Sequence, residues 1–151
     1  MSQSILFTSL KAGAFHLPNR IVMAPLTRAR AGQTHIPNSM IAEYYAQRAS
    51  AGLLIAEATM VASDGCAFTG EPGIFDEACA TGWKQVTQAV HAKGGRIMLQ
   101  AITVQDDYFD IYRRSSDYIR HHSFPGGMLL CDAVIAAQAS KAGLQVRETH
   151  G

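Results

Sequence analysis

The stretch "NRIVMAPLTRAR", residues 19–30, decides the fold class of this chain. It opens with an apolar run at residues 21–24, which is typical of a strand buried on both faces of a parallel sheet. The run breaks at Pro25, because proline offers no backbone N–H to a sheet. A hydroxyl side chain, Thr27, follows at once. We therefore expect a buried strand over residues 20–26 whose carboxyl end leads into a polar loop.

Two further segments are also near-continuous apolar runs, "LLIAEAT" (53–59) and "RIMLQAI" (96–102). Helical spacing of apolar residues lies between the three runs, in "NSMIAEYYAQRAS" (38–50) and "ATGWKQVTQAVHAKGG" (80–95). The first helix has Asn38 or Ser39 as a candidate N-cap, since both residue types accept hydrogen bonds from free N–H groups. This order of strands and helices predicts an α/β fold with a parallel sheet.

The segments that flank this unit predict additional elements. Residues 5–19, "ILFTSLKAGAFHLPN", favour two short strands that turn at Ala12-Gly13. Near the carboxyl end, residues 129–143 favour a helix, and residues 144–151 a fourth strand that would carry two charged side chains.

Composition excludes several classes of function. The 151 residues include 48% hydrophobic and 17% charged residues with a net charge of +1, so no field that would attract nucleic acid is expected. Three widely separated cysteines without C-x-x-C spacing indicate reduced thiols. No apolar stretch reaches the roughly 18 residues of a membrane span. We expect a soluble, cytoplasmic protein that does not bind membranes, and its oligomeric state stays open.

The predicted strand ends carry small or hydrogen-bonding side chains, with one ionisable group among them. Neither a Ser-His-Asp set, nor a metal-ligand cluster, nor a pair of acid and base carboxylates is present there. Such a set of amides and a hydroxyl suits a flat, neutral heteroaromatic ligand, and no metal. The three strand ends are Pro25-Leu26-Thr27, Glu57-Ala58-Thr59 and Leu99-Gln100.

Three motifs, "LPNRIVMAPLTRAR", "AEYYAQRASAGLLIAEAT" and "GGRIMLQ", closely resemble the amino-terminal part of the Old Yellow Enzyme family. That family comprises FMN-dependent NAD(P)H oxidoreductases that reduce activated C=C bonds on a TIM barrel. The resemblance covers residues 4–100 and implies the first three to four β/α units of a (β/α)8 barrel, with the hairpin over its bottom. We accordingly divide the chain into an FMN-binding part, residues 1–100, and a divergent tail, residues 101–151.

The resemblance also implies roles for individual residues. Pro25 and Leu26 would contact the isoalloxazine through their backbone, and Thr27 would place its hydroxyl near the flavin O4/N5 edge. Ala58 would pack against the ring, and Gln100 would hydrogen-bond its pyrimidine portion. FMN is thus the expected cofactor, NAD(P)H the reductant, and an enone or similar activated alkene the substrate.

The chain departs from the family after Gln100, where the family's Leu-Trp-His-x-Gly-Arg stretch is missing. The final segment, "KAGLQVRETHG", is similar to the family's segment that carries the first residue of the substrate-anchoring pair. That similarity would make His150 a catalytic residue, while an exposed terminal histidine is the alternative. The family's phosphate-binding loops follow its seventh and eighth strands. Two hypotheses therefore stand: an FMN-dependent ene-reductase impaired by truncation, or a non-catalytic fragment or degenerate copy.

Overall fold

A computed structural model of the chain describes residues 4–13, 15–101, 103–104, 130–131, 140–141 and 143. A hairpin precedes alternating strands and helices, in the order that the sequence predicts. The elements are a 3-10 helix Ile5–Phe7, β1 Leu10–Ala12, β2 Phe15–Leu17, β3 Val22–Met23, a 3-10 helix Gly32–Thr34, α1 Ser39–Ala46, β4 Leu53–Ala58, α2 Glu77–His91, β5 Ile97–Gln100, β6 Thr103–Val104 and β7 Leu130–Cys131.

The three central strands form a parallel sheet in the order β3-β4-β5. Val22 is the register partner of Leu53, and Leu54 is the register partner of Ile97. The prediction of parallel strands in chain order is thus confirmed. Because α1 connects β3 to β4 and α2 connects β4 to β5, both crossovers are helical, as parallel pairing requires.

Strand β3 is shorter and more exposed than predicted. It spans two residues instead of residues 20–26, and Ile21 adds only its carbonyl, which accepts from the Leu53 N–H at 3.3 Å. Ile21 and Val22 are 39% and 46% exposed, so the expectation of burial on both faces is wrong here. The reason is position: within the described part of the chain, β3 is an outer strand of the sheet, and no second neighbour covers it.

The amino-terminal hairpin is confirmed. Strands β1 and β2 pair antiparallel, with Leu10 opposite Leu17. Gly13 follows β1 with a φ of 57°, a left-handed conformation that glycine adopts without steric cost. The turn therefore lies where the Ala12-Gly13 pair predicts it.

The two helices begin at side-chain caps. Asn38, rather than Ser39, caps α1 by accepting from the Ile41 N–H at 3.1 Å. Asp76 caps α2 by accepting from the Cys79 N–H at 2.7 Å, which explains why this helix starts earlier than the predicted residue 80. Aspartate and asparagine stabilise these ends because they satisfy N–H groups that have no partner within the helix.

The hydrophobic core lies where α1 and α2 pack over β4. Tyr45, Leu54, Trp83 and Val86 are fully buried in it. At Gly82, α2 comes so close to the loop before α1 that a Cβ would lie 2.5 Å from the Pro37 carbonyl oxygen. Glycine at this position therefore permits the tight packing of α2.

The carboxyl-terminal residues differ in part from the prediction. Strands β6 and β7 pair parallel, so Leu130–Cys131, at the start of the predicted helix 129–143, are extended instead. Pairing with a distant strand overrides a local helical preference there. Ser140 and Lys141 are helical. The predicted strand at residues 144–151 lies outside the described residues. The longest helix that the structure describes has 15 residues, and none of the described helices has the length and hydropathy for a bilayer crossing.

Candidate functional site

The carboxyl ends of β3, β4 and β5 meet at one edge of the sheet. Ala58 and Gln100 are register partners, and the Thr59 N–H donates to the Gln100 carbonyl at 3.1 Å. On the other side of β4, the backbone N–H of Arg28 donates to the Glu57 carboxylate at 2.9 Å. The loop after β3 is therefore held at the end of β4, which in turn is held at the end of β5.

The residues predicted to contact flavin remain accessible at this edge. Leu26 is 66% exposed and Gln100 is also exposed. Pro25, Thr27 and Ala58 are half-buried. The edge thus offers an apolar surface, a hydroxyl and an amide with both a donor and an acceptor, which is the chemistry that a flat heteroaromatic ring needs. His150, the remaining predicted site residue, lies outside the described residues.

Glu57 is the charged residue that organises this edge. Its side chain is fully buried, although β4 is otherwise an apolar strand. One carboxylate oxygen, Oε2, accepts from the Arg28 backbone N–H, and the other, Oε1, forms an ion pair with the Arg28 guanidinium. The Tyr45 hydroxyl also lies 3.3 Å from Oε1. A buried carboxylate needs this number of partners, because burial of an unpaired charge is strongly unfavourable.

Tyr45 connects this carboxylate to the core. Its hydroxyl oxygen accepts from the Glu57 backbone N–H at 2.8 Å while the O–H donates to the carboxylate. Burial, reinforced by the negative charge of Glu57, raises the pKa of the Tyr45 hydroxyl far above its usual value. The group therefore stays protonated and remains a donor. The Tyr45 ring lies 6.4 Å from that of Trp83, whose Nε1–H donates to the Gly73 carbonyl at 3.0 Å.

Two arginines stack on Tyr44, at the start of a groove beside β3. The guanidinium carbons of Arg28 and Arg48 lie 3.5 and 3.6 Å from the centre of its ring, which is cation–π geometry. The groove is lined mostly by apolar side chains, including Ile21, Met23 and Leu26. Arg28 is thus engaged both by an aromatic ring and by a carboxylate.

Sequence reasoning missed Arg28 and Tyr45 as parts of the site. A signal for them existed, since a glutamate inside an apolar strand must find a partner when the strand is buried. The identity of that partner could not be read from spacing, because Arg28 lies 29 residues before Glu57 and Tyr45 12 residues before it.

Among the described residues, neither Cys66 nor Cys79 nor a metal cluster supplies reactive chemistry to this edge. Burial raises the pKa of the Cys79 thiol to about 12, and burial also raises the pKa of the Cys66 thiol, so neither is a thiolate near neutral pH. Within the described ranges, no group of three or more His, Cys, Asp or Glu side chains could hold a metal ion.

A sequence profile of the NADH:flavin oxidoreductase / NADH oxidase family matches residues 5–145. The chain belongs to this family. The match confirms the resemblance to the Old Yellow Enzymes, whose cofactor is FMN and whose reductant is NAD(P)H. The matched range extends to residue 145, beyond the residues 4–100 that contain the three motifs.

Three relatives illustrate the similarity. A probable flavin mononucleotide-dependent alkene reductase of Leishmania infantum is 43% identical over 99 residues, which are 66% of this chain and 27% of that protein. Morphinone reductase in complex with tetrahydroNAD is 49% identical with a TM-score of 0.62, over 66% of this chain and 27% of that one. A variant of NCR from Zymomonas mobilis is 39% identical with a TM-score of 0.71, over 94% of this chain and 43% of that one.

The chain spans about a quarter of the length of the curated relatives it matches. Its structural relatives in the family are TIM barrels, and the described strands form a part of such a barrel without closing it. The residues present fit the ring of FMN, because Leu26, Thr27 and Gln100 offer accessible groups at the strand ends where barrel enzymes bind their ligands. Arg28 is committed to Glu57 and is not free to pair with the phosphate.

Proposed function

We propose that this chain supplies the isoalloxazine-binding part of an FMN-dependent, NAD(P)H-consuming ene-reductase of the Old Yellow Enzyme type. One observation carries the proposal: three separate sequence motifs meet at one edge of the sheet, joined by the Arg28–Glu57 and Thr59–Gln100 hydrogen bonds. Bound FMN would supply hydride transfer from NAD(P)H to the activated C=C bond of a small molecule such as an enone. We assign the FMN-binding role to residues 1–100 and regard residues 101–151 as a divergent tail.

Each proposed contact follows from the chemistry of its side chain. Thr27 would donate a hydrogen bond from its hydroxyl to the O4/N5 edge of the ring, which tunes the electronics of the flavin. Ala58 has almost no side chain, so the ring can approach the β4 backbone closely. Gln100 would pair its amide with the pyrimidine portion, while Pro25 and Leu26 would provide backbone contacts.

His150 is the proposed first member of a pair that would hold the substrate carbonyl oxygen. Its imidazole N–H would donate a hydrogen bond to that oxygen and polarise the C=C bond. The support for this role is the similarity of residues 141–151 to the family segment that carries such a histidine.

The second candidate function is a non-catalytic fragment or degenerate copy. The observation in its favour is that the described strands leave β3 as an exposed outer strand and do not close a barrel. Under this hypothesis the strand ends would retain the residues of the family motifs without binding flavin.

Titration of the purified chain with FMN, followed by amide chemical shifts, tests the proposal. We expect shifts concentrated at residues 26, 27, 58 and 100, and at least fivefold weaker binding in Thr27→Ala and in Gln100→Ala. Thr81→Ala and Gln88→Ala are matched controls, because both side chains are exposed on α2. Equal affinity in all five proteins, or shifts spread over other surfaces, would favour the non-catalytic fragment.

A further inference from the structure

The Arg28 N–H that donates to Glu57 belongs to the peptide group whose carbonyl is that of Thr27. A peptide group is planar, so fixing its N–H in space also fixes the orientation of its carbonyl and of the Cα atom before it. The carboxylate of Glu57 therefore restrains the backbone from which the Thr27 side chain projects.

Glu57 is well suited to act as a fixed point. Its own backbone N–H is held by the Tyr45 hydroxyl at 2.8 Å, and its side chain is fully buried. Tyr45 is itself buried in the core formed by α1 and α2. The carboxylate is thus attached to the buried core of the molecule, whereas Thr27 lies in a loop.

The loop needs such an attachment. Directly after Arg28, Ala29 adopts a φ of 56°, a left-handed conformation that residues with a Cβ rarely adopt. Such a backbone persists only when surrounding contacts impose it. The Arg28 guanidinium, held by Glu57 and stacked on Tyr44, supplies contacts at this point.

Glu57 also joins two of the proposed ring contacts. It precedes Ala58 in the chain, and it holds the residue that follows Thr27. One side chain therefore sets the spacing between the loop after β3 and the end of β4. No charged or polar group other than those of Arg28 and Tyr45 contacts this carboxylate among the described residues.

We propose that Glu57 is a positioning residue, which acts through the Arg28 peptide and guanidinium to hold the Thr27 hydroxyl at the distance from Ala58 that the flavin ring requires. This role rests on the proposed function, because it presumes that Thr27 contacts the ring. Glu57 does not touch the ring itself in this scheme, since its carboxylate is buried behind the loop.

A double-mutant cycle on FMN affinity separates positioning from general stability. The proteins are the full chain, Thr27→Ala, Glu57→Gln and the double variant, each titrated with FMN. We expect Glu57→Gln to weaken binding about tenfold when Thr27 is present and less than twofold when it is alanine, since coupled residues are not additive. Equal weakening in both backgrounds would mean a merely structural role and would overturn the proposal.

The unaltered chain provides a second measurement, which holds even if Glu57→Gln fails to fold. A scalar coupling across the hydrogen bond between the Arg28 amide nitrogen and the Glu57 carboxylate carbon is expected, together with slow exchange of the Arg28 amide proton. Absence of the coupling with fast exchange would overturn the positioning role, whereas FMN-induced shifts at residues 26, 27, 58 and 100 would still support the proposed function. By contrast, unchanged FMN affinity in Thr27→Ala would overturn the role of Thr27 at the ring, and with it the positioning role.

Discussion

Arg28 and Glu57 are joined twice, through the backbone N–H and through the guanidinium of the same arginine. Both side chains are largely removed from solvent, at 12% and 0% exposure. Arg28→Ala would leave a buried carboxylate without its cation, so we expect a loss of about 3–5 kcal/mol in the free energy of unfolding. Urea unfolding measures this, with the exposed Arg30→Ala as the control. A loss below about 1 kcal/mol would contradict the pairing.

The hydroxyl of Tyr45 is the next partner of this carboxylate. Tyr45→Phe removes the acceptor of the Glu57 backbone N–H, and a buried donor without a partner costs about 1–3 kcal/mol. The matched control is Tyr44→Phe, which keeps the ring that stacks on the two arginines and should change stability by less than about 0.5 kcal/mol. Equal effects of the two substitutions in thermal unfolding would argue against the hydrogen bond.

Alkaline pH should destabilise the chain through Cys79. Burial raises the pKa of this thiol from 9.0 to about 12, so above pH 9 the unfolded chain releases a proton that the folded chain retains. The protonated Cys79 thiol therefore makes its full contribution to the free energy of unfolding below pH 9. Above pH 9 this contribution falls by about 1.4 kcal/mol per pH unit. Cys79→Ala lacks this group. Its stability deficit relative to the unaltered chain should shrink between pH 8 and pH 11, and a constant deficit would contradict the prediction.

Flavin affinity should not depend on the phosphate. The proposed contacts all lie on the ring, and two missing charge-assisted hydrogen bonds to phosphate weaken binding roughly a hundredfold or more. We therefore expect riboflavin and FMN to bind within about threefold of each other, both with a Kd above about 1 µM. Fluorescence quenching measures both affinities. Sub-micromolar FMN binding with much weaker riboflavin binding would show that residues of this chain hold the phosphate.

Enone reduction by the chain alone should not exceed that by free FMN. Turnover requires the ring, two donors on the substrate oxygen and an acid for the α-carbon, held together in one geometry. Thr27 and Gln100 address only the first requirement. The assay is anaerobic reduction of 2-cyclohexenone by NADPH with added FMN. Saturable activity above the free-FMN control, lost in Thr27→Ala, would show that the tail completes a working site.

The sequence predicts the architecture better than the interactions that hold the site together. Apolar runs and helical spacing suffice for the parallel order of β3, β4 and β5, because strands that alternate with helices along the chain favour parallel pairing. They do not predict the exposure of Val22, which depends on how many strands lie beside it. Nor do they predict that Arg28 pairs with Glu57, since that contact exists only after the chain has folded. Nor does the sequence predict the extended backbone at Leu130–Cys131, because the strand with which it pairs is distant along the chain.

The exposed edge at β3 bears on how long this polypeptide survives. Ile21 and Val22 lie beside Ile5, Leu6 and Phe7, because the Arg20 N–H donates to the Leu6 carbonyl, and all five apolar residues are at least 39% exposed. Unpaired strand edges flanked by apolar surface recruit other strands, and folded proteins usually cover them. Chaperones and proteases recognise the same surface. Among the residues that the structure describes, no strand pairs with the outer edge of β3, so covering this edge is expected to lengthen the lifetime of the polypeptide in a cell.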